Sequence, residues 1–349
     1  MLKTNGFLMK VLWVVCFVFS FGVMNASAMT EKELIEKAQK EGSLLWYTSS
    51  PTASAEKLAK SFFEKYKVRV DFVRSGGLGT IQKVYAEQEK NISKCDVVGP
   101  TGATDAFPQM KKRGWLAKIS DLPEWNHILD SMKDKDGFYV VINSDTVGMI
   151  YNKTAMEGKL LPKTVKELAD PKYKGMLVVG DPSISGTALT WGRWVLHSQD
   201  LGLEFLAKLR QNEVFVVGQT GQINDTVARG ARAIGVMQQE YEYVNVMAKG
   251  VGWITPLDGY VITPRPGAVL ANGPHPAAAR LFVNYLLGPE VQDEMLKEGN
   301  SSSRKGIEND KYMKWKPSLQ KGWQPNWEEI DEKDTKEKID KISKALKGQ

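Results

Sequence analysis

Residues 42–66 read GSLLWYTSSPTASAEKLAKSFFEKY, and the order of residue types in this stretch sets the architecture. Leu44, Leu45 and Trp46 form a short apolar run ending in hydroxyls, the pattern of a buried strand. Leu58, Phe62 and Tyr66 then recur at helical spacing, with Ala59 and Phe63 beside them, so a helix follows the loop at Ser49 and Ser50. The alternation continues on both sides. Upstream, TEKELIEKAQKEG (30–42) spaces Leu34 and Ala38 for a helix that Gly42 stops. Downstream, VRVDFVRSGG (68–77) alternates as a strand, LGTIQKVYAEQEKN (78–91) is helical, and CDVVGPTG (95–102) is a strand with a glycine turn. This rhythm predicts an α/β fold with mostly parallel sheets and helices on both faces.

The same rhythm restarts further on. TVGMIYN (146–152), GMLVVG (175–180), VFVVG (214–218) and AIGVMQQ (233–239) read as strands, and TALTWGRWVLHS (187–198) and INDTVARG (223–230) as helices. VGWITPLDGYVITPRPGAVLANG (251–273) is strand-rich, and HPAAARLFVNYLLG (275–288) is a helix closed by Gly288. The charged tail carries a thin apolar stripe, Ile339, Ile342 and Leu346, that suits a surface helix. No linker separates the halves. The expected division is therefore a signal peptide at 1–28, a first lobe at 29–143, a second lobe at 144–256, and a return to the first lobe with C-terminal helices at 257–349. Crossovers near residues 139–150 and 252–260 would let the two lobes close on a ligand.

Composition narrows the function. Lys3 and Lys10, an apolar run and the small residues of NASA mark a secretory signal, cut after Ala28. The alternatives are an uncleaved anchor, for which the apolar run is short, and a lipid on Cys16, before which Val15 stands in place of a small residue. The net charge of +6 falls to +4 without the two signal lysines. It is spread along the chain, with no arginine-rich face for nucleic acid. Cys95 is then the only cysteine, which excludes an intrachain disulfide and a cysteine-rich zinc site. His127, His197 and His275 are scattered, and neither a Gly-x-Ser-x-Gly elbow nor a phosphate-binding Gly-x-x-x-x-Gly-Lys motif occurs, so the chain is not read as an enzyme.

Three loops at the carboxyl ends of the first strands, YTSSP (47–51), RSGGLG (74–79) and GPTGA (99–103), lie where open α/β sheets bind ligands. They nominate Ser49, Ser50, Arg74, Gly76 and Thr101. In the second half GDPSISGT (180–187) nominates Ser185, Gly186 and Thr187 at a helix start. There, free amides and the helix dipole favour an anion, although Ser185 would also serve as a plain N-cap. Ser49 and Ser50 carry the same ambiguity. MQQEYEY (237–243) nominates Glu240 and Tyr241, a carboxylate beside a phenol that would suit an ammonium group. Asp258 in PLDGY (256–260) is either a further ligand contact or a turn aspartate.

The signal, the 42–66 stretch, MIYNKTAM with LPKTVKELADPKYKGMLVVGDPSISGT, VARGARAIGVMQQEY and GPHPAAARLFVNYLLGPEVQDEML together resemble periplasmic solute-binding proteins of ABC transporters, in the branch of the ferric-ion binding proteins. The resemblance runs from about Gly42 to Gly306. It implies a two-lobed type II periplasmic binding fold with a cleft between lobes, an inner-membrane permease as partner, a monomer and no cofactor. It also implies an anion contact at Ser185, Gly186 and Thr187. The ferric positions fall on Pro51, Thr101 and Glu240–Tyr241, so only Tyr241 matches a ferric ligand. The expectation is therefore a small anionic or zwitterionic solute of phosphonate, phosphate-ester or carboxylate type, with a ferric ion held through Tyr241 as the alternative.

Overall fold

A computed structural model describes residues 30–348, so the signal peptide and its cleavage after Ala28 lie outside the described residues. The first half runs α1 (Glu31–Glu41), β1 (Ser43–Thr48), α2 (Thr52–Tyr66), β2 (Arg69–Arg74), α3 (Gly77–Gln88), β3 (Val97–Gly99) and α4 (Ala106–Lys112). The long strand β4 (Val140–Asn152) leads to β5 (Leu177–Gly180), α5 (Gly186–His197), α6 (Gly202–Gln211), β6 (Phe215–Val217), α7 (Thr220–Ala228), β7 (Ile234–Gln239), α8 (Glu240–Val244) and β8 (Val251–Ile254). The chain returns through β9 (Val261–Val269) to α9 (Pro276–Leu287), α10 (Pro289–Lys297), β10 (Ser301–Ser302) and α11 (Glu332–Lys347). Local chemistry sets the ends of the first helix: Thr30 and Glu33 form a capping box, and Gly42 closes it at φ 76°. On α2 the buried face is Ala55, Phe62 and Tyr66, while Phe63 stays in solvent.

The strands form one continuous sheet in the order β2-β1-β3-β9-β4-β7-β5-β6, with β8 and β10 also paired to β4. Both ends are parallel, as the alternation predicts: β1 with β2 and β3, β5 with β6 and β7. The middle is antiparallel, from β3 through β9 and β4 to β7. Geometry requires this, because β4 carries the chain out of the first lobe and β9 brings it back alongside. Asp145 stands opposite Thr263 in that paired hinge.

Three apolar clusters fill the lobes: one large core in each, and a smaller cluster with Tyr47, Phe107 and Met110 that also belongs to lobe 1. Trp46, Phe62, Ile142 and Phe282 belong to the large core of lobe 1, Val147, Trp191, Met237 and Val261 to that of lobe 2. The outward crossing falls between Ile142 and Val147. The return falls between Val261 and Ile262, a few residues beyond 256/257. The tail departs further from expectation. Ile342 and Leu346 of α11 enter the second core, and Ile342 fills the notch that Gly192 leaves on α5. The last helix therefore returns to lobe 2, not to lobe 1, and α5 is buried on every side from Gly186 to Val195.

Candidate functional site

In lobe 1 the loops that leave β1 and β3 are tied together by side chains. The Thr101 amide donates to Ser49 Oγ at 2.7 Å, and Ser49 Oγ donates to Thr101 Oγ1 at 3.2 Å. Helix α2 starts at the N-cap Pro51 with no side-chain cap, so neither Ser49 nor Ser50 caps it. The Ser50 amide donates to Thr48 Oγ1 at 3.0 Å, and its carbonyl accepts from Arg74 Nε at 3.0 Å. Arg74, exposed at the end of β2, is thus folded over the first loop.

Lobe 2 presents helix ends instead. Ser185 is the N-cap of α5 and accepts from the Ala188 amide at 3.3 Å. The turn before it is fixed by Asp181, which accepts from the Ser183 amide and hydroxyl and pairs with Lys347 of α11. The Gly186 and Thr187 amides lie in the first turn, where an α-helix has no acceptor of its own for them.

These elements meet at a cavity of about 90 Å³ lined by Ser49, Arg74, Gly76 and Thr101 from lobe 1 and by Ser185, Gly186, Thr187, Gln219, Thr220, Tyr241 and Glu242 from lobe 2. The N-terminal ends of α3, α5 and α7 all border it, and each contributes partial positive charge. One water occupies ~30 Å³ of liquid, so the space suits a group of only a few heavy atoms. The lobes touch at its edge, backbone against backbone. A β-carbon on Gly102 would lie 2.5 Å from the Gly186 carbonyl carbon, and one on Gly186 would lie 2.4 Å from Gly102 O.

A second cavity of about 810 Å³ opens on the other side of Tyr241, lined by Trp46, Ser50, Asn143, Arg265 and residues of α2 and α10. It has the size of an ordinary ligand pocket. Its rim, however, carries surface ion pairs such as Lys57 with Glu294 and Glu298, whereas the starts of α3, α5 and α7 border the smaller space. Arg265 stands between the two. Its Nε donates to Thr101 Oγ1 at 2.9 Å, its guanidinium lies 5.2 Å from the Tyr241 ring centroid, and Nη2 is 3.4 Å from Asp145 Oδ2.

The sequence matches the family described as bacterial extracellular solute-binding protein over residues 98–333, most of the chain. The chain belongs to that family. A Salmonella typhimurium protein provisionally named as a 2-aminoethylphosphonate-binding periplasmic protein is 24% identical over 286 residues, covering 77% of this chain and 81% of that one. Among solved structures, iron-bound HitA of Pseudomonas aeruginosa superposes with a TM-score of 0.74 at 20% identity, covering 87% of this chain and 99% of HitA. The periplasmic binding protein AfuA of Actinobacillus pleuropneumoniae, solved with fructose 6-phosphate, superposes at 0.69 with 22% identity, covering 88% and 97%. The fold is therefore that of the type II periplasmic binding proteins, two lobes on a strand hinge.

Within this solute-binding protein three nominated residues face elsewhere, Glu240, Asp258 and Ser50. Glu240 is fully buried at the hinge, accepting from Thr146 Oγ1 and from Ser301 Oγ at 3.2 Å, with Lys316 Nζ 3.5 Å away. It does not reach the cavity, because the first turn of α8 aims it inward beneath the strands. Asp258 accepts from the Val165 and Lys166 amides at 2.8 and 3.0 Å, which makes it the turn aspartate of that corner. Ser50 lines the larger cavity only. In Glu240's place the cavity receives Glu242, two residues on. Burial pushes the Glu242 carboxyl up, against the pull of the Tyr241 hydroxyl, Arg265 and Arg74. Burial also holds the Tyr241 phenol well above its usual range, with the Glu242 carboxylate adding to it and Arg265 opposing. Sequence reading also missed Gln219, Thr220, Arg265 and Asp145. The start of α7 was the one legible signal among them.

Proposed function

We propose that this solute-binding protein closes its lobes on a small anionic or zwitterionic solute, of phosphonate, phosphate-ester or carboxylate type, and delivers it to an inner-membrane ABC permease. One observation carries the reading: three helix N-termini and Arg74 converge on a single small interlobe cavity, an arrangement that suits a compact anionic group. Ligand contacts from both lobes exist together only when the lobes are closed, so binding would shift an open–closed equilibrium. Tyr241 is a poor ferric ligand in this setting. Lobe 1 brings Pro51 and Thr101 where further hard anionic donors are needed, and burial with the neighbouring Glu242 carboxylate raises the Tyr241 phenol.

Native mass spectrometry of the exported protein, with calorimetric titration of phosphate and simple phosphonates, tests the reading. An added mass of a small anion and a Kd that Ser185→Asp weakens at least 100-fold are expected. An added mass of iron with a synergistic anion, or unchanged affinity in Ser185→Asp, would overturn it.

A further inference from the structure

A carboxylate is an unexpected neighbour for an anion, and this one is deliberately positioned. Glu242 Oε2 accepts from Asn224 Nδ2 at 3.1 Å, and the same Nδ2 donates to the Glu242 carbonyl at 2.8 Å. Asn224 is turned that way because its Oδ1 accepts from Gln238 Nε2, which also donates to the Thr220 carbonyl at 3.1 Å. Asn224 and Gln238 are both buried. The chain Gln238–Asn224–Glu242 therefore fixes an acceptor on the cavity wall, on the same side as the α7 amides.

The Tyr241 hydroxyl and the Arg265 and Arg74 guanidiniums favour the ionised form of Glu242 against its burial, and an ionised carboxylate can only accept hydrogen bonds. Set against an oxyanion that has no proton, it places acceptor against acceptor and like charge against like charge, which discriminates strongly in a confined site. Set against an anion that carries a hydroxyl proton, or has an ammonium group attached, it makes a charge-assisted hydrogen bond instead.

We propose that Glu242 is the specificity-determining residue of the cavity, admitting anionic solutes that bring an acidic hydrogen-bond donor, a P–OH or an ammonium group, and rejecting acceptor-only anions. This rests on the anion-site reading above. The donor requirement also assigns Asn224 and Gln238 as positioning residues, since they set where the acceptor lies.

Calorimetric titration of the exported full-length protein at pH 7 with inorganic phosphate, 2-aminoethylphosphonate, ethylphosphonate and sulfate tests it. Phosphate or an aminoalkylphosphonate should bind at least 100-fold more tightly than sulfate, and Glu242→Gln should narrow that ratio below 10-fold by strengthening sulfate binding. Ethylphosphonate affinity should fall as the pH rises past its second ionisation and its only P–OH is lost, in the wild type but not in Glu242→Gln, whereas phosphate, whose dianion keeps one P–OH, should retain its affinity, a pattern that mere structural damage would not produce. Tighter binding of 2-aminoethylphosphonate than of ethylphosphonate assigns the donor to the ammonium group, and equal binding assigns it to P–OH. Sulfate binding as tightly as phosphate, or a ratio unchanged in Glu242→Gln, overturns the role of Glu242 while leaving the anion site intact. If none of the four probes binds and native mass spectrometry finds no small anion on the exported protein, the anion site itself falls and this assignment with it.

Discussion

The two cleft walls begin with similar sequences and are built differently. Both offer serines just before a helix, Ser49–Ser50 before α2 and Ser185 before α5. Ser185 caps its helix, and the cavity is lined by helix starts that hold their shape within lobe 2. Ser49 caps nothing and instead ties one loop to another through Thr101, which leans on Arg265 and so on Asp145 in the hinge. The lobe 2 wall is built within its own lobe, from the starts of α5 and α7 and the Asn224–Glu242 pair, whereas the lobe 1 wall joins the start of α3 to a side-chain relay rooted in the strands that bend. The first should be indifferent to lobe position, the second sensitive to it.

The strongest way to break this contrast is to stop the walls from meeting. Gly102 has φ 69° and sits against Gly186, so Gly102→Ala meets both a strained backbone and a clash across the cleft. Solute affinity should fall at least 100-fold, and small-angle scattering should report a more open molecule that ligand no longer compacts. Normal closure in this variant would mean that the lobes meet elsewhere.

Serine deletions should separate the walls more gently. Ser185→Ala removes an N-cap and should cost about 1 kcal/mol, lowering Tm by roughly 2–4 °C. Ser49→Ala removes no cap. It should lower Tm less than Ser185→Ala while weakening solute binding about as much, because Thr101 loses its tether. Thermal melts with and without ligand check both. Equal melting losses would dissolve the distinction between the walls.

A smaller effect is expected from the tail. Arg193 of α5 donates to Thr335 Oγ1 at 2.9 Å and pairs with Asp334, while Thr335 Oγ1 donates to Asp105 of lobe 1 at 2.6 Å. The start of α11 therefore bridges the lobes beside the Gly102–Gly186 contact. Asp105→Ala removes the lobe 1 end of this bridge, and a severalfold loss of affinity with an unchanged Tm should show in calorimetry and melting.

How far the sequence could be read follows the same division. Elements whose signals are local were legible: the capping box of α1, the hydroxyl-ended strand β1, the Gly-rich start of α3 and the Ser-Gly-Thr start of α5. Residues placed by long-range packing were not. Glu240 and Glu242 are both carboxylates flanking Tyr241, and only the turn of α8 decides which one enters the cavity and which goes under the hinge. Arg265 and Asp145 lie 120 positions apart and meet because β4 and β9 pair antiparallel, a contact that no local pattern announces. Apolar spacing likewise found the stripe on α11 but could not say which lobe would receive Ile342.

The subtlest test concerns Asp145, where the lobe 1 relay ends. Its side chain is fully buried, Oδ2 faces Gln239 Nε2 and Arg265, and Oδ1 has no partner among the described residues. Burial raises its pKa to about 7, with Arg265 opposing the shift, Glu240 adding to it and Lys316 opposing. In the unfolded chain the group ionises near ~3.9. Between those values the folded state keeps a proton that the unfolded state has released, so this group lowers stability as pH rises from about 4 to about 7, and its full cost is present above that. Glu240 and Glu242 shift in the same direction, so the informative quantity is the difference between the wild type and Asp145→Asn. Urea midpoints measured from pH 4.5 to 8 should decline less steeply in Asp145→Asn than in the wild type. Ser185→Ala should keep the wild-type slope, because it removes no titrating group and only the cap on the Ala188 amide. Parallel slopes in all three proteins would mean that the charge on Asp145 is fully compensated at every pH, and the lobe 1 wall would then be no more tied to the hinge than the lobe 2 wall.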